Sequence, residues 1–139
     1  MGSKYFLDSD VILDFILKRA PFNQSAREIF DLAYNDDMQV FFSSLTVSNI
    51  HYLLRKQYGN EGALQKIEEL VRFCKILSVG EKEIFSAMKS GFPDFEDAVQ
   101  HFTALQEPQI KGIITRNTAD YRKSQLAIYT PESFLALFK

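Results

Sequence analysis

Cysteine occurs once in this chain, as Cys74, and histidine twice, as His51 and His101. A single thiol excludes an internal disulfide framework and suits a reducing compartment, so a cytoplasmic location is expected. Cys74 reads as a core residue at the start of a strand. The two histidines lack the spacing of a zinc site, and structural roles are expected for both. No run of about 18 apolar residues is present, and no N-terminal signal-peptide pattern, so no membrane association is expected. The 6 glycines form neither a Walker-type phosphate loop nor a G-x-G-x-x-G turn. No Pro/Gly-rich linker, internal repeat or low-complexity segment divides the chain. Charge of one sign is not in excess either. Sixteen basic against 18 acidic residues leave a formal net charge of −2, so any contact with nucleic acid must rest on a local basic patch.

What the chain does have is core material: 46% hydrophobic residues, including 13 Phe, in 139 residues, which suits a single domain over residues 1–139. Short apolar runs at 4–7, 39–42, 75–78, 112–115 and, more weakly, 126–129 read as strands buried on both faces. Helical patterns lie near 9–18, 23–36, 46–57, 60–73, 80–90, 94–106 and 131–138. Thr130-Pro131-Glu132 offers an N-cap followed by Pro at the first helical position, and Asn23 and Thr46 are expected to cap the second and third helices. Strands alternating with helices imply parallel pairing and right-handed crossovers. The expected fold is an α/β three-layer α/β/α sandwich with a central parallel sheet of about five strands.

Such sheets bind ligands outside the carboxyl ends of their strands. Asp8 follows the first expected strand, Ser43 and Ser44 the second, and Thr115-Arg116-Asn117 the fourth. Asp8 is therefore either a metal-ligand carboxylate or the N-cap of the helix that follows it. Asp94 and Asp97, three residues apart on one helix face, repel unless a cation or a proton intervenes; alternatively Asp94 caps that helix while Glu96 and Asp97 favour its positive end. Asp120 lies within reach of the same edge, as a ligand or as a surface turn residue, and Asn117 offers a carbonyl oxygen or shapes the turn. Three segments thus direct Asp8, Asp97 and Asp120 toward one rim. Clustered hard oxygen ligands suit Mg²⁺ or Mn²⁺, which can polarise a phosphate and activate water.

Four stretches, FLDSDVILDF, FFSSLTVSNIHYLLRK, DFEDAVQHFTAL and GIITRNTADYRKSQLAIYTPESFL, occur in an order that resembles the PIN-domain family, the fold of VapC-type toxin ribonucleases. The resemblance covers essentially the whole chain. By that resemblance Asp8, Asp97 and Asp120 are the catalytic, metal-holding acids, with Asn117 beside the last and Asp94 auxiliary. The family's second acid, usually a Glu at the start of the helix after strand two, is here Asn49. Asparagine presents a carbonyl oxygen without charge, which implies weaker metal binding, and Asn49→Glu is expected to tighten it; Asn49 also occupies the capping-box position relative to Thr46. Ser43, Ser44 and Thr46 could add hydroxyls.

The resemblance implies Mg²⁺- or Mn²⁺-dependent cleavage of RNA by metal-activated water, with single-stranded or looped RNA as substrate, an antitoxin protein as partner and a homodimer as assembly. Lys18-Arg19, Arg55-Lys56, Arg116 and Arg122-Lys123 are the candidate RNA contacts, Arg116 foremost because it lies at the strand edge. Two rival readings exist. LDSDVIL also resembles the first motif of haloacid-dehalogenase-like phosphatases, with Asp8 as nucleophile and Asp10 as acid/base. A non-catalytic interaction module that keeps the PIN fold would account for Asn49.

Overall fold

In the computed structural model, which describes residues 2–138, strands β1 (Ser3–Leu7), β2 (Met38–Ser43), β3 (Cys74–Leu77), β4 (Ile110–Ile114) and β5 (Ala127–Tyr129) form one sheet. Its order is β3-β2-β1-β4-β5, and every pairing is parallel. The first strand is therefore central. Helices α1 (Ser9–Ile16), α2 (Asn23–Tyr34), α3 (Ser44–Val71), α4 (Glu81–Met88), α5 (Phe95–Ala104) and α6 (Pro131–Phe138) supply the connections and the two outer layers. A short 3-10 turn, Thr118–Tyr121, follows β4.

The alternation of side chains along each strand sorts the core into two layers. Tyr5 and Leu7 of β1, Val40 and Phe42 of β2 and Ile114 of β4 face the layer of α1, α2, α3 and α6. Phe6, Phe41 and Ile113 face the other way, against Ala104 and Tyr121. Phe6 is wholly buried, and a side chain of that size contributes about 2–3 kcal/mol of hydrophobic stabilisation. Burial on both faces is why these strands read as continuous apolar runs.

The expected strands match the observed ones to within a residue or two. The two helices expected at 46–57 and 60–73 are joined in α3, which is broken at Gly59 (φ 73°, ψ 174°). A positive φ is tolerated there because glycine has no Cβ. Two capping expectations are corrected. Asn23 is the first helical residue, and the cap position falls on Phe22, which has no capping side chain. The cap of α3 is Ser43, whose Oγ accepts the Thr46 N–H at 3.0 Å; the helix begins directly at the strand end, so the hydroxyl there serves a turn earlier than Thr46. The Thr130 cap is as expected, accepting the Ser133 N–H at 3.0 Å. No described helix is long and apolar enough to cross a membrane.

Candidate active site

Asp8 leaves the central strand at its carboxyl end, and its N–H donates to the Ile114 carbonyl at 3.0 Å, pinning it to β4. The capping reading of Asp8 is observed. Oδ1 accepts the Ser9 N–H at 2.8 Å and caps α1. Oδ2 accepts the Thr115 hydroxyl at 2.9 Å and faces the Tyr121 hydroxyl at 3.2 Å. The same Tyr121 hydroxyl lies 3.4 Å from Asp97 Oδ1. With one proton to give, it serves one carboxylate at a time and so bridges the pair. Tyr121 is almost fully buried, and burial, then the charges of Asp8 and Asp97, hold its pKa well above the usual phenol value.

Asp97 enters from the first turn of α5. Burial, then the charges of Asp8 and Asp94 and a hydrogen-bonded contact with Asp120, push its pKa up to about 8. Asp94 caps α5, accepting the Asp97 N–H at 3.0 Å, and adds its charge to the group. Asp8 is itself raised, by burial against the pull of its three hydrogen bonds, with the charge of Asp94 adding. Asp8, Asp94, Asp97 and Asp120 are thus together at one rim.

Asp10 and Asp14 turn away from that group. Asp10 Oδ2 accepts the Arg116 N–H at 3.0 Å, and its Oδ1 is buried without a hydrogen-bond partner. Burial and the charge of Asp8 push Asp10 up to about 6. Asp14 is wholly buried and takes two arginines: Arg116 through Nε at 2.7 Å and Nη2 at 3.1 Å, and Arg19 through Nε at 2.8 Å. Arg116 also stacks on Phe22, 3.9 Å from the ring centroid. Its expected role at the rim as an RNA contact is therefore corrected in part: two of its donors are committed to Asp14.

Ser43 and Thr46 do not reach the acids. Their hydroxyls join Gln100 in a buried network, in which Gln100 Nε2 donates to Thr46 Oγ1 at 2.7 Å and Ser43 Oγ donates to Gln100 Oε1. Ser44 Oγ instead accepts the Val79 N–H at 3.0 Å. Asn117 serves through its backbone, its carbonyl accepting the Asp120 N–H at 3.1 Å. Asn49 is not part of a capping box. Its Nδ2 donates to Glu96 Oε1 at 3.1 Å, across to α5. Burial, then the charges of Asp8 and Asp94, raise the Glu96 carboxyl above its usual range, and Asn49 partly offsets this.

Cys74 is buried, and burial pushes its thiol up to about 12. His101 is buried against Phe92 and Phe102, accepts the Gln125 N–H at 3.1 Å on Nε2, and is lowered to about 4 by burial. His51 pairs with Asn60 at 3.0 Å. All three keep the structural roles expected of them.

The donors at the rim are carboxylate oxygens, with no imidazole or thiolate among them, and among the described residues no basic side chain forms an ion pair with Asp8, Asp97 or Asp120. That chemistry fits a hard divalent cation. Among the described residues no three His, Cys, Asp or Glu side chains form a ready-made metal cage. Mg²⁺ needs none, since it keeps most of its waters and takes one or two carboxylates. Thr115 stands at the strand edge as expected, whereas Tyr121 and Glu96 were not expected at the site. Tyr121 sits beside Asp120 in TADY, but nothing in sequence says that its hydroxyl turns inward.

The PIN domain family model matches residues 4–119, and the chain belongs to the PIN domain family. No curated protein matches it in sequence. Among solved structures, VapBC2 from Rickettsia felis bound to a DNA fragment of its promoter aligns with a TM-score of 0.68 at 18% identity, over 91% of this chain and 98% of that one. DNA-bound VapBC from Salmonella typhimurium gives 0.66 at 19%, over 93% and 98%. VapC20 from Mycobacterium tuberculosis, a sarcin-ricin loop cleaving toxin, gives 0.59 at 14%, over 80% and 87%. At these identities the likeness is one of fold. Family membership displaces the phosphatase reading of LDSDVIL, and Asp10, its would-be acid/base, is instead tied to the Arg116 backbone.

Proposed function

We propose that this chain is a Mg²⁺- or Mn²⁺-dependent endoribonuclease and the toxin of a toxin–antitoxin pair. The observation that carries the reading is the pair Asp8 and Asp97, joined through the hydroxyl of Tyr121 and, among the described residues, given no ion-pair partner. Asp8 and Asp97 would hold the cation, with Asp120 and Asp94 beside them. The cation supplies Lewis-acid polarisation of a phosphate and lowers the pKa of water.

The chain's own residues do the rest. Thr115 and the Ser9 N–H fix the Asp8 carboxylate in orientation. Asp97, held protonated up to about 8 by burial and by the charges of Asp8 and Asp94, would give up that proton as positive charge enters the pocket. Tyr121, almost fully buried, spans the gap between the two carboxylates. RNA, single-stranded or looped, would be drawn by exposed cations around the rim: Arg122 and Lys123 beyond the 3-10 turn, and Arg55 and Lys56 on α3, which flank the ring of Tyr52 at 5.3 and 4.7 Å. An exposed ring between two cations suits base stacking. The antitoxin partner is supported by the VapBC complexes that share the fold; a homodimer belongs to the same proposal.

The test is incubation of a mixed RNA pool with the protein and Mn²⁺, Mg²⁺ or chelator, with Asp8→Asn in parallel. Cleavage that needs the metal and is lost in the variant is expected. A protein that cleaves nothing and is not stabilised by either ion would instead be a PIN-fold interaction module.

A further inference from the structure

The acid that position 49 lacks has a neighbour that carries one. Asn49, in the second turn of α3, points its amide at Glu96 on α5, and the Nδ2–Oε1 hydrogen bond of 3.1 Å joins residues 47 apart in sequence. Glu96 also feels the charges of Asp8 and Asp94, so its carboxylate lies at the same rim. A groove of about 490 Å³ opens there, with Ser9, Asn49, Tyr52 and Glu96 in its walls. Glutamate at position 49 would set a second carboxylate against Glu96; an amide there donates to it instead.

We propose that Glu96 supplies the negative charge that position 49 does not, and that Asn49 is a positioning residue that aims the Glu96 carboxylate at the cation held by Asp8 and Asp97. The acid reaches the site from α5 rather than from α3. This rests on the metal-dependent reading above. It also revises the expectation for Asn49→Glu, which in the wild-type background places like charges side by side and brings little gain.

Glu96 is exposed and lies outside the buried network of α5, so its replacement leaves the fold intact. Mn²⁺ binding is measured by titration calorimetry, and by the rise in unfolding temperature on adding Mn²⁺, for wild type, Glu96→Gln, Asp8→Asn, and Glu96→Gln with Asn49→Glu. Glu96→Gln is expected to weaken Mn²⁺ binding about tenfold, and adding Asn49→Glu to restore it by returning the charge through the other helix. Unchanged affinity in Glu96→Gln, alongside loss in Asp8→Asn, would overturn the assignment of Glu96 and leave the metal site standing. A wild-type protein that binds no Mn²⁺ would overturn both.

Discussion

Asp8 caps α1 and Asp14 lies in the last turn of the same short helix; both are buried, yet their surroundings are opposite. Asp14 is enclosed by two guanidinium groups that reach it from Arg19 and Arg116. Asp8 is enclosed by two hydroxyls and one N–H, with Asp94 and Asp97 nearby and, among the described residues, no basic side chain paired with it. Desolvating a carboxylate is costly unless something compensates it. At Asp14 the protein supplies the compensation and the residue works as a structural joint. At Asp8 it withholds it, and the deficit is what a cation would fill. Burial alone separates neither case; the identity of the neighbours does.

The largest expected effect lies on the structural side. Asp14→Ala leaves two arginines without their acceptor, and since both are partly exposed the cost should be about 3 kcal/mol of stability, read from urea unfolding. An unchanged midpoint would mean that the arginines find water as readily as they find Asp14. On the other side, Asp8→Asn should lower RNA cleavage more than about a hundredfold, beyond the loss typical of residues that only support a ligand. Its unfolding midpoint without metal should be no lower than that of wild type. A large loss of stability instead would place Asp8 in the same class as Asp14.

The pH dependence of stability sharpens the contrast. Asp97 holds its proton in the folded state up to about 8, against an ordinary value of 3.8, so folding takes up a proton between those limits and stability falls as pH rises through them. His101, lowered from 6.5 to about 4, acts oppositely below 6.5, where the unfolded state binds the extra proton. The Asp97 effect is therefore cleanest from about pH 6.5 to 8. Metal-free protein should lose unfolding temperature across that interval; Mn²⁺ or Asp97→Asn should flatten the loss. The smallest effect is expected for Tyr121→Phe, about 1 kcal/mol for the lost hydrogen bond, together with an altered pH profile for Asp8 and Asp97. A profile identical to wild type would show that the hydroxyl does not bridge them.

The sheet and the place of Asp8 were legible because they follow from local pattern: apolar runs, helical spacing, and a polar residue at the end of each run. Asp94 and Asp97 were legible in the same way, three apart at a helix start. The partner choices were not. Arg116 lies at the strand edge as expected, but its guanidinium meets Asp14, far away in sequence. Ser43 and Thr46 stand at the right end of β2, yet their hydroxyls turn to Gln100. Glu96 looked like a residue favouring a helix start, and its contact with Asn49 depends on how α3 and α5 pack. A hydroxyl, amide or guanidinium has several ways to be satisfied, and only the packed chain chooses among them.

The clasp formed by Asp14, Arg19 and Arg116, with Phe22 beneath it, ties both ends of α1 and the loop after β4 into one frame, since Arg19 also donates to the Asp10 carbonyl at 3.2 Å. That frame is complete using only the chain's own atoms. Under the proposed metal-dependent reading, the mouth of the pocket would need no ion for its assembly, and loading would be a late, reversible event laid on a finished scaffold rather than a step in making it. Stripping the ion with chelator would then silence the protein without unravelling it, and returning the ion would need no refolding.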